Sequence, residues 1–226
     1  MLPIFATLAW HTAHPGAVIG LLELSGINQP ETSPLLNERK REIEAHLRAR
    51  YQGGSRKDIA SHPVMAAYTK YYKRFNKTYH VLLQAESIAL KDKNLPDVCP
   101  LVDAAYVSEM ETFVLTAGHD VDLLTPPILI DVSHEDEQMV QMDGTVKVIR
   151  AGDMIMRNAE GISCSILYGQ CKRSPITAHT AHVLYVAYAP SGVPVETVMA
   201  HLRGIEANIR LYSPTAVLEQ RTLLSG

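Results

Sequence analysis

The chain has 226 residues, 46% hydrophobic and 20% charged, enough to bury a sizeable core without disulfide or metal staples. No run of about 18 apolar residues occurs, which excludes a transmembrane helix. The net charge of −3 conceals two opposed segments. Glu38–Lys93 holds 13 Lys and Arg against 6 Asp and Glu, whereas Asp97–Asp143 holds 11 acidic residues and no Lys or Arg. Such asymmetry fits a basic face turned to a polyanion and an acidic face turned away, or a solvated surface with uneven local charge.

In chain order, Met1–Trp10 lacks the basic leader and cleavage site of a signal peptide and reads as a first strand. Pro3–Trp10 and Ala17–Leu24, separated by His14-Pro15-Gly16, read as a strand pair. Leu35, Leu36, Ile43 and Leu47 recur at helical spacing, which predicts an amphipathic helix over Pro34–Tyr51, ended by Gly53-Gly54. Further helices are expected over Val64–Phe75, opened by Pro63, and over Val81–Leu90 and Leu101–Leu115. From Ile128 the pattern changes to short apolar runs between turn signals: Ile128–Val132, Met139–Met142, Thr145–Ile149, Asp153–Met156, Ile162–Tyr168 and His182–Ala189. Asp143-Gly144 marks a hairpin. Ser191 is the expected cap of a helix carrying Val198, Leu202, Ile205 and Ile209 on one face, and Ala216–Leu224 reads as a last strand. Helices, then strands, then a helix predict an α+β fold. The chain reads as a single domain over residues 1–226, with helices packed on a mixed, largely antiparallel sheet built mainly from Ile128–Ala189.

No Walker A loop, GxGxxG, HExxH or GxSxG motif occurs, which removes the common nucleotide, zinc-protease and hydrolase-elbow readings. Cys99, Cys164 and Cys171 form an odd, sparse set, expected as reduced thiols of a cytoplasmic chain. No cysteine or histidine spacing matches a zinc site, and the HxxH of His179 and His182 runs into a strand. Neither a metal nor another cofactor is expected. Gly118 permits a tight turn that sets His119 at the end of the preceding helix. Tyr68, Tyr71 and Tyr72 interleave with Lys70, Lys73, Arg74 and Lys77. That pattern suits stacking on bases and holding phosphates, or rings packed inward beneath solvated cations.

Leu95-Pro96-Asp97-Val98-Cys99-Pro100-Leu101-Val102-Asp103 and His119-x-x-Asp122 resemble segments of the editing module (B-three/B-four domain) of the phenylalanyl-tRNA synthetase beta subunit. So do Met142-Asp143-Gly144 with Asp153-Met154-Ile155, Ser165–Gln170 and Thr180–Leu184, in the same order. The stretch from His62-Pro63 to Lys77 looks like free-standing members of that group. The resemblance implies an RNA-binding chain whose partner is tRNA or aminoacyl-tRNA, with hydrolysis of mischarged aminoacyl esters as its activity. It implies that His119 is the catalytic residue and that Cys99, Asp103, Asp122, Ser165, Gly169 and Gln170 surround the substrate in one concave pocket, with Lys70, Lys73, Arg74 and Lys77 on the RNA. Two positions depart from the family pattern: Gln170 stands for a glutamate and Cys99 for an asparagine. Gln170 hydrogen-bonds a hydroxyl without charge. A small-molecule pocket that has lost RNA, and a purely structural partner role, remain open alternatives.

Overall fold

A computed structural model describes all residues, Met1–Gly226. The first departure from expectation is at the N-terminus. The Thr7 hydroxyl accepts the Trp10 N–H at 3.1 Å and starts a short helix, α1 (Leu8–Ala13), so β1 keeps only Ile4–Ala6. Strand β2 (Val18–Ser25) does not pair with it. Residues Val18–Leu24 are all buried, the continuous run of a strand that needs neighbours on both sides.

Four longer helices follow, close to their expected bounds: α2 (Pro34–Arg50), α4 (Pro63–Lys73), α5 (His80–Lys91) and α6 (Pro100–Thr112), with a five-residue α3 (Arg56–Ala60) between the first two. Ser33 caps α2 by accepting the Leu36 N–H, and Pro34 suits its first turn. The strands are β3 (Thr116–Asp120), β4 (Ile128–Val132), β5 (Gln138–Val140), β6 (Val146–Val148), β7 (Met154–Asn158), β8 (Gly161–Ser165), β9 (Gly169–Gln170), β10 (Val183–Ala189) and β11 (Val217–Ser225). Helix α7 (Val195–Arg210) precedes β11 and buries Val198, Leu202, Ile205 and Ile209 as expected. Its N-cap is Pro194, not Ser191, and no side chain caps it.

The fold is α+β, with seven helices on mixed, mostly antiparallel sheets. One sheet has the order β1-β4-β7-β8-β9, in which only β1 and β4 run parallel. The second has the order β11-β2-β10-β3 and is antiparallel throughout. β5 and β6 form the separate hairpin signalled by Asp143-Gly144. The second sheet therefore draws β2 and β11 from the chain ends, outside the Ile128–Ala189 region expected to supply most strands. A continuous cluster of 58 buried apolar residues, from Ile4 to Ala216, joins both sheets and the helices. No helix is long and apolar enough to cross a membrane.

The expected turn at Gly118 is absent. Helix α6 stops at Thr112, where Phe113 takes a left-handed backbone with φ 61°. Gly118 lies within β3, opposite Tyr185 of β10. A Cβ there would come within 2.5 Å of Ile176 Cδ1 and 3.2 Å of Tyr185 Cε1. Close approach of neighbouring side chains, rather than a turn, requires the glycine.

Candidate functional site

Helix α6 positions one wall of a cavity of about 320 Å3. Val102, Ala105, Tyr106 and Glu109 line it, at the i, i+3, i+4, i+7 spacing that brings residues to one helix face. Thr116, Ala117 and Gly118 of β3, with Tyr185 and Tyr188 of β10, form a second wall; Cys164, Ser165, Gly169 and Gln170 form a third. His80, Met142 and Ile176 also contribute. The volume lies at the lower end of the range of small-ligand sites, roughly 300–1,000 Å3, and the lining is mostly apolar.

Its polar groups are few and placed. Glu109 is 3% exposed. One carboxylate oxygen accepts the Thr116 N–H at 2.7 Å, and no protein donor reaches the other. Burial pushes this carboxyl up to about 8. The fully buried Tyr188 hydroxyl lies beside the Cys164 thiol and has no nitrogen or oxygen partner. Burial holds His80 down at about 4, so its ring is neutral at physiological pH. Cys164 is a buried free thiol, raised by burial to about 12.

The third wall is set by a buried carboxyl. Asp153 accepts hydrogen bonds from the Tyr71 hydroxyl at 2.7 Å, the Ser165 hydroxyl and, at 3.4 Å, the Leu167 N–H. The Ser165 oxygen in turn accepts the Tyr168 N–H at 3.2 Å, shaping the turn into Gly169, whose φ is +81°. Burial raises Asp153 to about 7. Gln170 donates to the Ser174 carbonyl at 2.5 Å.

Of the residues implied by the resemblance, Ser165, Gly169 and Gln170 meet on this cavity; Cys99, Asp103, His119 and Asp122 do not line it. Strand alternation puts the His119 side chain on the face of β3 opposite Gly118. The ring is fully buried, with Nδ1 2.8 Å from the Ser174 hydroxyl and no partner for Nε2. Ser174 thus links His119 to Gln170 through its hydroxyl and carbonyl. Burial lowers His119 to about 3. Asp103 faces α2, where it pairs with the fully buried Lys40 ammonium at 3.0 Å and accepts the Val98 N–H. Lys40 also binds Asp97 and the Pro96 carbonyl, so this set anchors the Leu95–Asp103 segment. Cys99 is the half-buried N-cap of α6, and Asp122 is exposed beside His182. No three His, Cys, Asp or Glu side chains gather as a metal would require.

Tyr68, Tyr71 and Tyr72 are all buried and offer no face to a base. Their hydroxyls donate to Tyr188 O, Asp153 and Ile166 O, which ties α4 to β10, β7 and the turn after β8. The cations between them behave differently. The ion pairs of the basic segment lie on α2, α3 and α5, and none involves Lys70, Lys73, Arg74 or Lys77. Lys70, Lys73 and Arg74 are exposed, and Arg74 lies over the Tyr71 and Phe75 rings at 5.4 Å each. The Lys77 ammonium sits 4.2 Å from the centre of the Tyr168 ring, and Lys147 reaches the same ring at 5.5 Å. Burial, then the like charges of Lys147 and Arg150, hold Lys77 below its ordinary value. The acidic segment does not wholly face away: Glu135 and Asp136 share a shallow cleft with Arg74 and Arg150.

No family model matches this chain, and no curated protein matches it. Among solved structures, it is similar to an N-terminal fragment of the phenylalanyl-tRNA synthetase beta subunit from Pyrococcus horikoshii, with a TM-score of 0.48 and 9% identity. The match covers 97% of this chain and 54% of that one, so the chain spans about half the length of that fragment.

Sequence reasoning passed over Glu109, Tyr188 and Lys147. For Glu109 a signal existed: it lies seven residues after Val102 on the same stripe, an acid where the periodicity calls for an apolar side chain. For Tyr188 and Lys147 no local signal exists, since both depend on contacts between distant strands and loops.

Proposed function

We propose that the chain binds tRNA, with phosphates held along α4 and the β5–β6 hairpin and the terminal aminoacyl group entering the cavity. One observation carries this reading. Lys77 and Lys147 meet over Tyr168, the residue next to the Gly169-Gln170 wall, so free cations stand beside the cavity. Unpaired cations supply salt-dependent affinity for a phosphate chain, while a cavity of this size accepts a single side chain. Hydrolysis of the ester is the activity this reading implies. In this reading Gln170 and Ser165, both on the cavity wall, help to position the ester, and His119 is a positioning residue acting through Ser174. An aminoacyl ester is reactive enough that holding its carbonyl and a water accelerates hydrolysis.

The test is binding of tRNA to the full chain and to the double variant Lys77→Glu, Lys147→Glu, followed by deacylation of a panel of mischarged tRNAs. Weaker binding by the variant, with a flatter salt dependence, is the expected result. Equal binding removes the RNA reading. A small-molecule pocket without RNA is the second reading, favoured by a cavity lining that contains no Lys or Arg; it predicts no tRNA binding by either protein.

A further inference from the structure

The cavity contains one group whose chemistry the protein leaves unfinished. Glu109 is the only Asp or Glu among the lining residues, and no Lys or Arg shares the lining with it. Its single hydrogen bond comes from the Thr116 N–H. A carboxylate withdrawn from water and left with a free oxygen is costly unless a donor or cation reaches it. No protein group supplies one, which leaves that oxygen to water, to a proton or to a ligand in the cavity.

We propose that the cavity is an amine site, in which a ligand's ammonium group pairs with the Glu109 carboxylate while its apolar body lies among Val102, Ala105 and Tyr185. An ammonium brings three donors. Besides Glu109, the lining offers one further acceptor without a protein donor, on Gln170. The Gln170 amide is held by its Nε2 on Ser174, with its carbonyl oxygen free of any protein donor. An anionic ligand would meet no cation inside, and a hydrocarbon would leave the free Glu109 oxygen without a partner. The inference deepens the reading of the cavity as the place of the aminoacyl group, which carries such an ammonium, and it does not depend on RNA.

Glu109 is also the only group there that titrates near neutrality. The groups facing it are Tyr68 and Tyr72 from α4, Tyr79 preceding α5, His80 at its start, Tyr106 on α6 and, beyond Thr112 and Thr116, His201 from α7. The tyrosines are raised by burial, and both histidines are lowered to about 4, so all stay neutral from pH 6 to 9. Glu109 itself, raised to about 8, holds a proton in the free chain at pH 7.5. An ammonium ligand must expel that proton, so binding at pH 7.5 is coupled to proton release.

The experiment is calorimetric titration of the full chain with phenethylamine and with 2-phenylethanol, a probe of the same shape without the charge, in two buffers of different ionisation enthalpy. The amine is expected to bind roughly ten- to a hundredfold tighter than the alcohol, the range of a charge-assisted hydrogen bond, and to release protons. Glu109→Gln is expected to abolish both the preference and the release. Equal affinity for the two probes, amine binding without proton release by the parent chain, or no amine binding by the folded parent chain would each overturn the proposal. Neither probe carries phosphate, so this result and the outcome of the tRNA titration fail independently.

Discussion

Replacing Glu109 by Gln should stabilise the protein, and increasingly so as pH rises. The amide has the same shape and keeps an oxygen for the Thr116 N–H, which now meets a carboxylate oxygen at 2.7 Å. What it removes is titration. Burial raises the Glu109 carboxyl from 4.5 to about 8 in the folded chain, so between those values the folded state holds a proton that the unfolded state has released. Stability therefore falls as pH rises through that window and stays low above it. At 1.36 kcal/mol per unit, the full difference is roughly 5 kcal/mol above pH 8. For a chain of this size that is roughly 10–20 °C in melting temperature, at 2–4 °C per kcal/mol. Urea and thermal unfolding followed by circular dichroism from pH 5 to pH 9 would measure it. The gap between parent and variant should be smallest at pH 5, widen by up to about 1.4 kcal/mol per pH unit, and level off above pH 8. Parallel stability profiles across the range would refute the assignment of Glu109 as a carboxyl buried without a counter-charge.

Three further outcomes are expected. His80, His119 and His201 are held neutral by burial, at about 4, 3 and 4 against 6.5 when unfolded. They contribute stability that is present above pH 6.5 and lost as pH falls towards 4, opposite in sense to Glu109 and Asp153 over that window, so the check is each ring's own titration by NMR: a ring that titrates near 6.5 would contradict its burial. Tyr71→Phe removes the hydroxyl that donates to Asp153 and accepts the Met154 N–H. The cost should be about 1–3 kcal/mol, and an unchanged denaturation midpoint would show that the Asp153 hub does not support the third wall. Gly118→Ala places a methyl 2.5 Å from Ile176 Cδ1 and 3.2 Å from Tyr185. It should destabilise by about 1–3 kcal/mol and narrow the cavity, which unfolding midpoints and probe binding would read together.

What the residues announce by themselves is what short-range physics controls. The apolar stripes of α2 and α7 were legible because a helix closes its own hydrogen bonds, and Asp143-Gly144 because a two-residue turn joins adjacent strands. The α+β class followed from the order of these patterns. Strand partnership was not legible. β1 pairs in parallel with β4, more than a hundred residues away, and β2 lies between β10 and β11. An apolar run states that a strand is buried, not which edges it meets. Gly118 and Asp103 were misplaced for the same reason: a glycine needed by Ile176 and Tyr185, and an acid held by Lys40, look alone in the sequence like a turn and a pocket residue. His119 shows the limit most plainly, since its neighbours in sequence do not reveal that Ser174 encloses it. The sequence by itself determined the helices, the hairpin and the alternation of buried positions. The tertiary structure alone decided which strands pair, which carboxyls lose water, and that Glu109 is left facing a cavity with no counter-charge, because desolvation depends on the walls that distant segments build around a group.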